Sequence, residues 1–142
     1  MKKRVIAIGA VLLAGLGLYL SPAWKPQPTG AGAVSGQALV DIVIPETFSQ
    51  QAQIGKTAFD ANCAGCHGVD AVGQNGVAPP LVHVIYEPSH HGDESFQRAI
   101  AMGVRGHHWP FGDMPPVEGL TRADVATIIA YIRELQRANG ID

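Results

Sequence analysis

Residues 63–67 read Cys63-Ala64-Gly65-Cys66-His67, and the reading of the whole chain turns on them. Two thiols three positions apart share one turn of helix, and an imidazole follows directly. This spacing is the attachment pattern of c-type haem. The thiols add across the two vinyl groups, and His67 then offers its ring to the iron as an axial ligand. Gly65 keeps the turn slim where a large flat ring must approach. Cys63 and Cys66 are the only cysteines, so a disulfide framework is excluded. Zinc held by cysteines alone is excluded too, because a structural site takes four ligands. Two other readings compete. A thioredoxin-like redox pair wants a βαβ setting, which the flanking sequence lacks. A zinc site built from both thiols, His67 and a later histidine is the second.

Residues 46–142 read as one domain, and after Pro45 the pattern becomes helical. Phe48 to Ala61 places Ala52, Gly55, Ala58 and Phe59 at helical spacing, which predicts a helix there. Asp93 is placed to cap a short helix, Glu94 to Met102, ended by Gly103. Thr121 and Asp124 open the last helix, whose Val125, Ile128, Ile129, Ile132 and Leu135 form one apolar face, with Gly140 as its stop. No β-sheet pattern stands out, so the expected class is all-α. Gly65 to Pro80 and Arg105 to Pro116 are long and irregular. Loops of that length in a small domain make sense if they wrap something large and apolar.

Upstream, Lys2, Lys3 and Arg4 precede an uncharged apolar run, Val5 to Leu20, which continues uncharged to Trp24. About 20 helical residues span a bilayer core. Residues 1–24 are therefore read as a signal-anchor or a signal peptide, with the anchor favoured by interfacial Tyr19 and Trp24. Residues 25–45 read as a Pro/Gly-rich linker, ending in a short extended piece at Leu39 to Ile44. The charge asymmetry puts the rest of the chain across the membrane, on the periplasmic side of an inner membrane. Cleavage would instead leave a soluble periplasmic protein. A formal charge of −2, from 10 basic and 12 acidic residues, gives no footprint for nucleic acid.

From about Gln51 to Asn139 the chain resembles the class I, mono-haem cytochrome c family. The motifs that carry this are Gly55 and Phe59 in the first helix, the residues 63–67, Ala78-Pro79-Pro80-Leu81, Met114-Pro115, and Tyr131 in the last helix. Ala78 stands where the family pattern has Gly. The resemblance implies the cytochrome c fold, with terminal helices packed together and loops around one covalent haem c. It implies that the Pro79 carbonyl accepts a hydrogen bond from His67, that Leu81 packs on the haem face, and that Met114 is the sixth ligand. Met102 is the other methionine within reach.

His83, His90, His91, His107 and His108 compete for attention. They are open to three readings: a polar loop surface with Arg105, His107 or Trp109 donating to haem propionates, a second metal site, or a replacement for Met114 at the iron. Adjacent histidines do not easily ligate one ion together. The function expected is single-electron transfer between redox partner proteins of an exported respiratory or related chain, rather than an enzyme acting alone. A haem enzyme or a gas or redox sensor with an open sixth position is the alternative.

Overall fold

A computed structural model describes residues 35–142. The expected signal-anchor or signal peptide and the first part of the expected linker lie outside the described residues. Among the described residues there is no strand, only two isolated bridges, and no helix long and apolar enough to cross a membrane. Among these residues the α-helices are, in order, α1 (Gln50–Asn62), α2 (Ala64–His67), α3 (Asp93–Met102) and α4 (Arg122–Ala138). Short 3-10 turns lie at Val69–Ala71 and Val84–Tyr86.

Helix α1 begins two residues later than the periodicity suggests, because the Ser49 side chain accepts from the Ala52 amide and caps it. Phe48 is left outside the helix and packs on Tyr131, with ring centroids 5.3 Å apart. Ala52, Gly55 and Phe59 form the buried face. Helix α4 has the capping box that Thr121 and Asp124 foretold: each accepts from the other's backbone N–H. At the other end Gly140 takes a φ of +71° and the helix stops.

The main contact of the domain is α1 against α4. Its closeness depends on Gly55. A methyl group built there would overlap the Thr127 carbonyl of α4, so only glycine permits this crossing. Phe59 and Tyr131 then meet, centroids 5.6 Å apart and both fully buried. Ile128, Ile132 and Leu135 complete this seam. The Tyr131 hydroxyl donates to Asp70 Oδ1 at 2.7 Å, and Lys56 reaches both Asp60 and Asp70.

Two details depart from the sequence reading. Asp93 does not cap α3. Gly92 is the cap residue, and Asp93 is the first residue of the helix. Its carboxylate accepts from Arg133 Nε at 2.9 Å instead of from the helix amides. The described part of the expected linker, residues 35–45, runs against the domain without joining a strand. Gly36 donates to the Asn75 carbonyl, Leu39 to the Val72 carbonyl, and Val43 exchanges two hydrogen bonds with the Asn139 side chain.

Candidate functional site

The site starts at the junction of α1 and α2. The Cys63 amide donates to the Phe59 carbonyl and closes α1, while the His67 amide donates back to the Cys63 carbonyl. One continuous turn thus carries both sulfurs and the imidazole. Cys63 is half-buried and Cys66 exposed. Burial first, and the neighbouring Cys66 second, push the Cys63 thiol up to about 11. A redox nucleophile of the thioredoxin type works with a depressed pKa, so this environment is the wrong one for it. The Gln74 side chain fixes the turn by donating to the carbonyls of Ala64 and Gly65.

His67 Nδ1 lies 2.9 Å from the Pro79 carbonyl oxygen. A carbonyl only accepts, so Nδ1 carries the proton and Nε2 keeps its lone pair. Burial also pushes the His67 pKa down, the Pro79 bond opposing it in part, which favours the neutral ring that a metal requires. Such an outer hydrogen bond fixes the tautomer of a metal-binding imidazole.

His67 opens onto a cavity of about 620 Å³. Phe59, Leu81, Phe96, Ile100, Ile128 and Ile132 supply apolar wall, and Cys63, Cys66, Pro79 and Met114 line the same space. Met114 is half-buried and held by its backbone: its amide and carbonyl exchange hydrogen bonds with Val104, each 2.9 Å. Gly103, with a φ of +75°, allows this approach, since a side chain there would sit 2.6 Å from the Met114 carbonyl. Met102 also borders the cavity but is 74% exposed. All six residues singled out for the cofactor, Cys63, Cys66, His67, Pro79, Leu81 and Met114, therefore gather at one cavity.

The cavity fits a large apolar ring bearing polar groups at its edge. Trp109 lines it, and its Nε1 is buried with no hydrogen-bond partner. An indole N–H is a donor only, so the position calls for an acceptor from whatever fills the space. The nearby Tyr86 phenol is raised by burial and partly lowered by the Trp109 indole, yet no hydrogen bond of proper geometry joins the two.

Residues that sequence reasoning overlooked hold the far wall. Arg133 and Gln136 are buried on α4. Arg133 donates to the carbonyls of Tyr86 and His91, and Gln136 Nε2 to those of Leu81 and Tyr86. The histidines divide. His83 accepts from the Ile85 amide and packs edge-on against Trp109, while His91, His107 and His108 line the cavity and His90 packs against His91 and His108. Elsewhere, a groove of about 480 Å³ beside α4 is lined by charged residues largely paired among themselves, Glu94 with Arg122 and Asp93 with Arg133. It has no thiol or imidazole.

The family model described as Cytochrome c matches residues 52–136. No curated protein matches the chain.

Proposed function

We propose that this chain, which belongs to the cytochrome c family and carries covalently attached haem c, passes single electrons between protein partners on the exported side of a membrane, with His67 and Met114 as the side chains that would hold the iron. Bound haem c supplies the one-electron couple at its iron. The chain's own residues do the rest. Cys63 and Cys66 hold the group by thioether bonds, so it is never exchanged. The Pro79 carbonyl keeps the proton on Nδ1 of His67 and leaves Nε2 to bind metal. Met114 offers a neutral, soft sulfur, which favours the lower-charged iron and raises the potential relative to two histidines. The apolar wall of Phe59, Leu81, Phe96, Ile100, Ile128 and Ile132 keeps water away.

The observation that carries this reading is the meeting of His67, its Nδ1 already engaged, and Met114 in one apolar cavity. With His67 and Met114 both holding the iron, no site would be left for a substrate and only an electron would pass. The test is absorption spectroscopy of the purified holoprotein. The oxidised form should show a weak sulfur-to-iron band in the far red, which Met114→Ala should abolish. The same variant, once reduced, should gain affinity for carbon monoxide. Ready binding of carbon monoxide by the unaltered reduced protein would overturn the electron-carrier reading in favour of a sensor or enzyme.

A further inference from the structure

We propose that His90, His91 and His108 form a second metal site, for a divalent late first-row cation, at the rim of the haem cavity. One ligating nitrogen from each ring lies within 4.8 Å of the other two. Metal–imidazole bonds of about 2.0–2.1 Å place paired nitrogens roughly 3–4 Å apart, so a small side-chain rotation closes the site. His90 and His108 are exposed and turn freely enough to do this, and His91 is half-buried.

Sequence adjacency of His90 and His91 argues against shared ligation in an extended chain. Here the chain is not extended. The amides of His90 and His91 both donate to the Glu87 carbonyl, at 3.1 and 2.7 Å. That tight turn brings the two rings to 4.6 Å between centroids, nearly perpendicular. His108 comes from a separate loop, its ring 5.5 Å from His90 and 5.3 Å from His91.

The ring chemistry favours a metal over a solvated surface. His91 Nδ1 is 2.6 Å from the Ile85 carbonyl, so it carries the proton and directs the lone pair of Nε2 elsewhere. His107, whose ring lies 4.1 Å from that of His108, is set the same way by the Arg105 carbonyl. Both supporting segments are tied in place. Arg133 holds the His91 carbonyl from inside the domain, and Asp113 accepts from the Gly106 amide across the other loop. Three neutral imidazoles suit copper, zinc and nickel, and Cu2+ should bind more tightly than Zn2+. A bound ion would link the turn at residues 87–91 to the loop at 103–114.

The test uses the full-length holoprotein, freed of loose metal by a chelator and titrated by calorimetry with Zn2+ and, separately, Cu2+. One ion per chain is expected beyond the haem iron, with nitrogen hyperfine structure in the copper electron-spin spectrum. His90→Ala and His108→Ala should each weaken binding at least about tenfold. Both positions are exposed, and an unchanged haem spectrum will show that the fold is retained. Unchanged affinity in both variants, or no stoichiometric binding of either ion by the parent protein, would overturn the proposal.

Discussion

Tyr131→Phe separates one hydrogen bond from the packing around it. The ring is fully buried between Phe48 and Phe59, and phenylalanine preserves that packing. What disappears is the 2.7 Å bond from the hydroxyl to Asp70. A hydrogen bond to a charged acceptor contributes about 1.5–3 kcal/mol. Asp70 is not orphaned by the change, because Lys56 stays 3.3 Å away and its side chain is 26% exposed. The lower end, about 1.5 kcal/mol, is therefore expected, which lowers the melting temperature of a domain this size by about 6–12 °C. The advantage shrinks with alkali. Burial first, and Asp70 next, hold the folded phenol well above its ordinary range, while the unfolded chain ionises near pH 10. The stability carried by the neutral phenol is present below that pH and lost above it. At pH 11 the loss is about 1.4 kcal/mol in the parent and nil in the variant, so the gap nearly closes. Thermal unfolding of both holoproteins, followed by circular dichroism at pH 7 and pH 11, measures this. Melting within about 2 °C of the parent at pH 7, or a gap that persists undiminished at pH 11, would refute the reasoning.

Gly55→Ala should open the α1–α4 crossing and cost about 1–3 kcal/mol in denaturant unfolding, since its methyl group meets backbone rather than a movable side chain. Asp124 is held below its usual range by the Thr121 hydroxyl and amide, so its contribution is present at neutral pH and fades as pH falls through the acid range; Thr121→Val should flatten the acid limb of a stability–pH curve. Amino-terminal sequencing of the mature protein after membrane fractionation should find the apolar run of residues 5–20 retained in the membrane fraction. A freely soluble protein starting near Trp24 or Val34 would indicate cleavage instead.

What could be read without coordinates is what the chain specifies locally. Cys63, Cys66 and His67 share one turn, so their spacing alone brings them together. Thr121 and Asp124 are three residues apart, so the capping box is visible in the string. The class, all-α, followed from the 3.6-residue spacing of Val125 to Leu135. Asp93 fits the cap rule, which looks for a polar side chain, but Arg133, 40 residues away, takes its carboxylate. Arg133 and Gln136 themselves escaped notice. Their partners are backbone carbonyls at residues 81, 86 and 91, and a carbonyl has no letter in the sequence. Five histidines within one stretch could not be sorted by spacing, whereas the turn at Glu87 and the position of Trp109 separate His83 from the rest.

The two sides of the cavity are secured differently, and the difference bears on whether the Met114 side opens. The His67 side is short-range: Cys63 to Pro79 spans a single loop pinned by Gln74 and the Pro79 carbonyl. The Met114 side needs support from several directions, because nothing covalent holds it. Its backbone pairs twice with Val104, Gly106 is tied to Asp113, and the Val117 amide reaches back to the Ile100 carbonyl of α3. Segments that must swing aside for a ligand usually have few such bonds. A gas sensor or peroxidase would gain from a loose loop at this position. A carrier gains from a fixed one, because less structural rearrangement then accompanies each change of charge. The bonding around Met114 follows the second pattern, which is why the closed, electron-passing reading is preferred to the open one.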